Sequence, residues 1–270
     1  MSELFGSDAF APPEIAARVE KVGVAKTRLP LAATAMLSVL GGAFIGLGAL
    51  FATVVTADGS LSPAVSRVLG GVVFSLGLLL VVVAGAELFT GNNLLVMAWA
   101  DRRIRTRTLL RHWFVVLAGN AVGACGLAVL VCWSGHTTVD DGVIGARYLA
   151  IAAHKVRLPF GAAVASGVLC NVLVCLGVWM AFAGRSVLDK AVAVVFPVAA
   201  FVACGFEHSV ANVYFFAMAW LLTPTGYLPL SLASALGNLV PVVLGNLIGG
   251  GLFVALVYHF VYRRSAPPAA

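Results

Sequence analysis

Long apolar runs with almost no charged residues limit what this chain can fold into more than any other feature. A helix that crosses the hydrocarbon core of a bilayer needs about 20 mostly apolar residues. Six runs reach that length, and the second and fifth carry polar residues near their middle. The predicted spans lie near 31–56, 65–100, 110–133, 160–183, 188–222 and 235–262. The pattern predicts an all-α membrane protein with six transmembrane helices.

The composition argues against an ordinary soluble domain. Charged residues make up 10% of the chain and hydrophobic residues 61%, whereas a soluble domain carries about 25% charged residues. The five cysteines all lie in apolar runs, which favours buried free thiols over disulfides. The sequence contains no zinc or haem ligand spacing and no P-loop. We therefore expect no metal, no cofactor and no ATP-driven pump.

The distribution of basic residues predicts the orientation in the membrane. With six crossings, both termini and the loops near 101–111 and 184–190 lie on one side. That side holds 13 of the 17 Lys and Arg residues, so the positive-inside rule makes it cytoplasmic. The basic run DRRIRTRTLLR then marks topology and contact with lipid headgroups, and no nucleic-acid partner is expected. The other side holds four basic residues: Arg67, Arg147, Lys155 and Arg157.

The polar interruptions of the second and fifth runs resemble each other. GAELFTGN (85–92) and GFEHSVAN (205–212) share the pattern G-x-E-x-x-x-x-N. The next run of each half carries G-N-x-x-G, at 119–123 and 245–249. The two halves thus contain three spans each, so the second copy crosses the membrane in the opposite direction.

This repeat predicts where the functional site lies. The two inverted repeats cover about 31–133 and 160–262, and the second and fifth helices are broken. Non-helical backbone at bilayer depth is tolerated only where it is buried in protein or lines a cavity. Half-helices that end there turn the partial positive charge of their N-termini inward. We therefore predict a path for a small anion between the two interruptions.

His208 is the main candidate residue of this path, because it is the only histidine deep in a predicted span. A lone buried histidine is often a hydrogen-bonded core residue, but ionisable groups inside a membrane mark functional sites. Imidazole titrates near neutrality, so His208 can attract an anion, give it a proton or switch the path with pH. Thr90 in the other interruption is a neutral hydroxyl that can donate to the same cargo.

Other polar residues of the spans have two interpretations each. Glu87 and Glu207 occupy equivalent positions, and a bare carboxylate would repel an anion. We predict that they brace the loops by accepting hydrogen bonds from freed backbone N–H groups, with a proton relay as the alternative. Asn171 and Asn246 either line the path or form interhelical hydrogen bonds. Asn120 is the repeat equivalent of Asn246, which favours a structural role for that pair.

Bulky apolar residues surround these polar groups. Rings of such residues can gate a channel by dewetting, although a single one in a membrane helix is more often simple packing. The candidates for a constriction are Phe74, Leu78, Leu88, Phe89, Val174 and Phe201.

Three other classes of protein fit less well. An enzyme needs a nucleophile–base pair or a metal cluster, and only the adjacent His208 and Ser209 come close, so we expect no enzymatic activity. A water or glycerol channel fits the interrupted repeat, but its pair of NPA boxes is missing. A sodium-coupled transporter that binds its ion through unwound carbonyls stays open as an alternative.

Several segments resemble the formate/nitrite transporter family, and the resemblance extends from about Arg18 to Tyr262. The signature segments are AELFTGNNLLVMA (86–98), GFEHSVANVYF (205–215) and NLVPVVLGNLIGGGLFVAL (238–256). The segments HKV (154–156), CNVLVCLGVWMA (170–181) and GRSVLDKA (184–191) are most similar to the formate-channel branch. ELFTG is shared with the nitrite branch, so nitrite is the alternative cargo, and hydrosulfide is a further one.

The resemblance implies an aquaporin-like protomer in a homopentamer, with one pore per protomer, in a bacterial inner membrane. It implies a cytoplasmic amphipathic segment at 1–30, a channel domain at 31–262 and a cytoplasmic tail at 263–270. The amphipathic segment near 12–26 matches a family segment that can move at the cytoplasmic mouth, but this copy is short and carries two prolines, Pro12 and Pro13.

The resemblance also implies roles for single residues. The pore residues are His208, Thr90, Asn171 and Asn246. Lys155 draws anions into the periplasmic vestibule. The outer constriction contains Phe74, Phe89 and Val174, and the inner constriction contains Leu78, Leu88 and Phe201.

A mechanism follows for the anion of a weak acid. A bare charge loses several kcal/mol of hydration in a dry constriction. Near His208 the anion gains a proton, or at least a charge-assisted hydrogen bond, and crosses as the neutral acid or as a paired anion. Thr90 and the loop N–H groups hold its oxygens during the passage.

Overall fold

A computed structural model of the protein describes residues 9–57, 59–223 and 230–264. These residues form helices and connecting turns, and no strand occurs among them. The α-helices are α1 (Pro12–Thr27), α2 (Leu31–Ala57), α3 (Pro63–Leu79), α4 (Val96–Ala100), α5 (Thr106–Trp133), α6 (Val143–Lys155), α7 (Phe160–Ala183), α8 (Val187–Ala203), α9 (Ser209–Leu222), α10 (Leu232–Leu247) and α11 (Val257–His259). The residues at 1–8 and 265–270 of the predicted terminal segments lie outside the described residues.

Long apolar helices dominate the described part of the chain. Five helical segments there are long and apolar enough to cross a membrane, and the longest runs from Leu232 to Arg263 with π-helical turns on either side of α11. Large apolar side chains point outward, for example Trp133, Phe114 and Phe196 at 81%, 74% and 73% exposure. Such surfaces fit lipid or another apolar partner rather than water. The chain is a multi-pass membrane protein.

The second predicted span does not form one continuous helix. Helix α3 continues through a π-helical turn to Gly85, and the extended residue Ala86 follows. The chain becomes helical again in a 3-10 turn over Gly91–Leu95, which leads into α4. Gly85 has a φ of 91°, which a residue without a Cβ adopts at little cost.

The fifth predicted span is divided in the same manner. Helix α8 ends at Ala203, and α9 begins at Ser209 and has only 14 residues. Gly205 has a φ of 74°, so each interruption opens on a glycine in the left-handed region. The two interruptions therefore lie at corresponding places in the two apolar segments, and their loops carry the candidate residues.

Glycines allow the long helices to approach closely. Helix α2 packs on α5, and α7 packs on α10. A Cβ at Gly123 of α5 would collide with the carbonyl oxygen of Val39 in α2, and one at Gly249, just after α10, would collide with that of Val168 in α7. Small residues at helix crossings are typical of membrane bundles. This close packing fixes the loops between the helices.

Helix α1 lies against one end of the bundle. Its apolar residues Ile15, Ala16 and Val19 are buried in a cluster with residues of the α4 region and the C-terminal helix. Glu20 is also buried; its Oε2 accepts from Arg263 Nε at 2.8 Å, and Arg103 Nε lies 2.7 Å from its Oε1. Burial raises the pKa of the Glu20 carboxyl, and the two arginines act against that rise. These contacts join α1 to both the α4–α5 turn and the C-terminal helix.

We expect Gly123→Ala to lower the stability of the bundle, because the new methyl group meets backbone atoms of α2 that cannot rotate away. Overpacking of this kind costs about 1–3 kcal/mol. The midpoint of thermal unfolding in detergent measures the effect. Gly126→Ala is the matched control, because a Cβ at Gly126 on the same helix meets no atom within 4 Å. Equal unfolding midpoints for the two variants would contradict this account of the α2–α5 contact.

Candidate functional site

The two interruptions meet at a hydrogen bond between His208 and Thr90. His208 Nε2 lies 3.1 Å from Thr90 Oγ1, although the residues are 118 positions apart. Both side chains are buried. His208 is also the N-cap of α9, since its Nδ1 accepts the backbone N–H of Ala211 at 3.2 Å. The cap fixes the orientation of the ring, and the ring faces the opposite loop.

This geometry determines the tautomer of His208. A backbone N–H can only donate, so Nδ1 must be the unprotonated acceptor and the neutral ring carries its hydrogen on Nε2. Nε2–H then donates to Thr90 Oγ1, which leaves the Thr90 hydroxyl hydrogen free to donate elsewhere. A second proton, on Nδ1, would face the N–H of Ala211. The resting His208 is therefore a neutral hydrogen-bond donor.

Glu87, in the first interruption, is held by side chains. Its Oε2 accepts from Asn92 Nδ2 at 2.6 Å and from Lys26 Nζ at 3.1 Å, and His112 Nε2 lies 3.4 Å away. Lys26 also donates to Asn92 Oδ1 at 2.8 Å. The last turn of α1 is thus bonded directly to the first loop.

Glu207, in the second interruption, has a matching set of partners. Its Oε1 accepts from Lys155 Nζ at 2.8 Å, and its Oε2 accepts from Asn212 Nδ2 at 2.6 Å and from Asn238 Nδ2 at 3.4 Å. In each half the carboxylate binds a lysine and the asparagine five residues later. A side chain from the third long helix of the half completes each set, His112 in the first and Asn238 in the second.

The loop backbone is held by asparagines rather than by these glutamates. Asn120 Oδ1 accepts the N–H of Phe89 at 2.9 Å, and its Nδ2 donates to the carbonyls of Glu87 and Ser38 at 2.8 and 2.7 Å. We expected freed backbone N–H groups to donate to the two carboxylates. In the described part of the chain the hydrogen-bond donors of both carboxylates are side chains instead, a lysine and an asparagine amide in each half.

Asn246 repeats the arrangement of Asn120 in the second half. Its Oδ1 accepts the N–H of Ser209 at 3.0 Å, and its Nδ2 donates to the carbonyls of Glu207 and Gly167 at 3.1 and 2.8 Å. The acceptor and both donor hydrogens of the amide are therefore used. Of the two interpretations open for Asn246, its contacts favour the structural one.

Asn171 has one free polar atom. Its Nδ2 donates to the carbonyls of Asn246 and Thr90, at 2.6 and 3.3 Å, and so joins the two halves. Its Oδ1 is buried and has no hydrogen-bond partner among the described residues. Cys175 Sγ also donates to the Thr90 carbonyl, at 3.3 Å. Asn171 therefore both braces the first loop and leaves an acceptor available.

Two cavities lie on either side of the His208–Thr90 contact. The larger, of about 600 Å³, is lined by His208, Lys155 and by Arg67 and Phe74 of α3, and we call it the Lys155 cavity. The second, of about 450 Å³, is lined by Lys26, Glu87 and the last turns of α3, and we call it the Lys26 cavity. The Lys155 cavity extends toward the N-terminal end of α3, and the Lys26 cavity lies at its C-terminal end. The two cavities therefore approach the His208–Thr90 contact from opposite directions.

Apolar side chains separate the two cavities. Phe74 and Phe201 pack edge to face with centroids 5.6 Å apart, and Phe201 stacks on His208 at 5.9 Å. Both phenylalanines line the Lys155 cavity, whereas Leu78 and Leu88 line the Lys26 cavity. The expected grouping of Phe201 with the two leucines is therefore not found, because Phe201 lies at the end of α8, next to the histidine loop.

The remaining two candidates for a constriction are buried and line neither of the two cavities. Phe89 and Val174 are each only 2% exposed and line neither cavity. Phe89 follows Leu88 in the first loop, and its N–H is bonded to Asn120. Both side chains are therefore part of the buried core near the two loops.

Sequence reasoning missed several residues of this site. Lys26 and His112 gave no signal, because their contact with Glu87 joins segments far apart in the chain. Asn92 and Asn212 did have a signal, as the last residue of the repeated G-x-E-x-x-x-x-N pattern. Arg67 and Arg147 entered only the charge count, yet both line the Lys155 cavity. Within the described residues no cluster of three or more metal-ligating side chains occurs.

The fold and this geometry define a class: a multi-pass helical membrane protein with two cavities and a buried histidine–threonine contact. The sequence model of the formate/nitrite transporter family matches residues 13–260. The chain belongs to the formate/nitrite transporter family, which confirms the resemblance seen in the sequence. Membership also supports a transporter or channel rather than an enzyme.

Individual relatives resemble the chain over nearly its full length. It is 40% identical to formate channel FocA of Escherichia coli K12, over 95% of this chain and 96% of the relative. It is 34% identical to formate channel FocA of Haemophilus influenzae, over 97% and 98% of the two chains. A solved pentameric formate channel with formate bound superposes with a TM-score of 0.79 at 38% identity, over 86% of this chain and 97% of that one. An FNT family ion channel gives a TM-score of 0.84 at 30% identity, over 92% and 98%.

We expect Asn246→Ala and Asn120→Ala to destabilise the protein to a similar extent. Each change leaves one backbone N–H and two carbonyls of the bundle without the amide partner, at about 1–3 kcal/mol for each buried group left unpaired. Thermal unfolding in detergent measures the loss. Ser134→Ala is the control, because it removes only two local hydrogen bonds at an exposed position. An Asn246→Ala variant as stable as Ser134→Ala, with altered anion selectivity, would show that Asn246 lines the path instead.

Proposed function

We propose that the protein is a channel for small monovalent anions of weak acids, with formate as its main cargo. Family membership and the full-length similarity to proteins named formate channels support this function. The observation that carries it is the His208–Thr90 contact between the two cavities. Nitrite is the second candidate, because the ELFTG segment at 87–91 is shared with the nitrite branch. Hydrosulfide is a further cargo of suitable charge and size.

The proposed architecture is an aquaporin-like protomer with six crossings in two inverted repeats, at about 31–133 and 160–262. The second and fifth helices are broken at the two loops. Matching features support the repeat: a glycine with positive φ opens each loop, and an asparagine in the third helix braces it. In this proposal 1–30 is the cytoplasmic N-terminal segment, 31–262 is the channel domain and 263–270 is the tail.

We propose that this protomer forms a homopentamer in a bacterial inner membrane, with lipid around the assembly and both termini in the cytoplasm. The solved relative described as a pentameric formate channel supports the assembly. The excess of Lys and Arg at the termini and at two connecting loops supports the orientation. The Lys155 cavity is then the periplasmic vestibule, and the Lys26 cavity is the cytoplasmic one, covered by α1.

The apolar layer sets the energetic problem for the cargo. An anion that leaves either vestibule must pass Phe74 and Phe201 on one side, and Leu78 and Leu88 on the other, where its lost hydration costs several kcal/mol. In this proposal Thr90 offsets part of that cost by donating its hydroxyl hydrogen to the anion. The Nε2–H of His208 polarises this hydroxyl, and the N-terminus of α9 adds partial positive charge.

The source of any travelling proton also follows from the hydrogen bonds. Loss of Nε2–H would leave an imidazolate, and gain of a proton on Nδ1 would break the N-cap of α9. His208 therefore serves as a hydrogen-bond donor in this proposal rather than as the resting proton source. A proton that accompanies formate enters with the anion from the vestibule, and the pair crosses as formic acid.

We expect His208→Asn to keep the fold and to reduce formate flux. An asparagine side chain can still cap α9, but it removes the ring donor that polarises Thr90. A hydrogen bond to a charged group contributes about 1.5–3 kcal/mol, so flux should fall about 10- to 100-fold. Stopped-flow assays of formate uptake into proteoliposomes at several pH values measure this effect.

Two further variants complete this test. His208→Phe, which removes the cap as well as the donor, should also lower the unfolding midpoint. His112→Asn is the matched control. His112 lies beside Glu87 in the first half, and in the second half an asparagine, Asn238, holds the same position beside Glu207. Unchanged selectivity and pH dependence of formate flux in both His208 variants would contradict a role of the histidine in permeation.

The choice of cargo is tested by comparing formate, nitrite and hydrosulfide in the same proteoliposomes. We expect formate to give the highest flux, and acetate and lactate to pass more slowly because they carry extra carbon atoms through the phenylalanine layer. If nitrite or hydrosulfide gave a higher flux than formate, that anion would be the main cargo instead. Flux of neutral glycerol as fast as that of formate would contradict an anion channel.

A further inference from the structure

Lys155, to which the family resemblance assigns anion recruitment, is already paired. Lys155 Nζ lies 2.8 Å from Glu207 Oε1, and the two side chains are 11% and 2% exposed. An ammonium and a carboxylate at this distance carry no net charge together. The field that draws an anion into the Lys155 cavity must therefore come from other groups.

Two arginines line the same cavity without such a partner. Arg67 lies in the first turns of α3, and Arg147 lies on α6, two turns before Lys155. Among the described residues no carboxylate forms an ion pair with either arginine. Arg147 Nε donates to Thr56 Oγ1 at 3.3 Å, which orients its guanidinium. Both arginines thus present positive charge at the mouth of a cavity that ends at His208.

The two guanidinium groups also repel each other. Arg147 is partly buried in the connection between α5 and α7, and burial lowers the pKa of its guanidinium, which the neighbouring charge of Arg67 lowers further. An arginine remains charged despite such a shift. Like charges brought together at the rim of a cavity create a positive potential that concentrates anions there.

We propose that Arg67 and Arg147 form an anion-recruitment site at the mouth of the Lys155 cavity. The site takes a monovalent carboxylate or a small oxyanion, which the positive charge of the two side chains attracts. From there the anion passes the neutral Lys155–Glu207 pair and reaches Thr90 and His208. This inference rests on the proposed function and adds a binding step to it.

The test measures formate flux at limiting and at saturating formate concentrations, in vesicles whose lipids carry no net charge. Two salt conditions are compared: ionic strength of about 0.01 M, where the Debye length is about 30 Å, and about 1 M, where it is about 3 Å. The variants are Arg67→Gln, Arg147→Gln and the double variant. Arg147→Lys keeps the charge. Arg157→Gln removes an exposed charge from the segment after α6 that does not line the cavity.

At low salt and limiting formate we expect the double variant to lose about tenfold in flux, and each single variant to lose less. High salt should slow the wild-type protein to the rate of the double variant. Arg147→Lys and Arg157→Gln should follow the wild-type protein, and all variants should agree at saturating formate.

Three results would overturn the inference. The first is a double variant with wild-type flux and salt dependence at limiting formate. The second is Arg147→Lys behaving like Arg147→Gln. The third is a loss that persists at high salt and saturating formate, because recruitment acts only when the supply of anion is limiting. Wild-type vesicles that pass neither formate nor nitrite would instead contradict the proposed function itself, whatever the arginine variants do.

Discussion

The structure depends on how the backbone polar groups that the two interruptions free are satisfied within the bundle. A buried N–H or C=O without a partner costs about 1–3 kcal/mol, and each interruption frees several. Asn120 and Asn246 each bind one N–H and one carbonyl of a loop and a carbonyl of a neighbouring helix. With the loops fixed in this way, Thr90 and His208 are held within hydrogen-bond distance of each other.

The glutamates solve a second problem, which is electrostatic. A carboxylate beside an anion path would repel the cargo, yet both interruptions contain one. Glu87 is bound by Lys26 and Glu207 by Lys155, so each adds almost no net charge to its cavity. Each carboxylate also binds the asparagine at the start of the following helix. Each glutamate therefore joins its loop to a lysine of another helix, and that lysine neutralises the charge of the carboxylate.

The sequence alone was informative about the loops and much less so about their partners. The repeated G-x-E-x-x-x-x-N pattern located both interruptions, and the solitary histidine in an apolar run identified His208. The tautomer of that ring could not be predicted, because it depends on which nitrogen meets the N–H of Ala211. The position of Phe201 beside His208, and the contact of Lys26 with Glu87, depend on helix packing across long separations that no spacing in the sequence encodes.

The two halves share their supporting contacts but differ in the residue that each presents to the proposed path. In the aligned G-x-E-x-x-x-x-N segments, His208 occupies the position that Leu88 holds in the first half. The second loop therefore offers a hydrogen-bond donor, and the first offers an apolar side chain at the Lys26 cavity. In the proposed channel an anion therefore meets one polar contact, with apolar residues on either side. Conduction requires a site that binds strongly enough to admit the cargo and weakly enough to release it. The neutral donors Thr90 and His208 meet that requirement better than a fixed charge would. A permanent cation in a dry layer would bind the anion too strongly to release it.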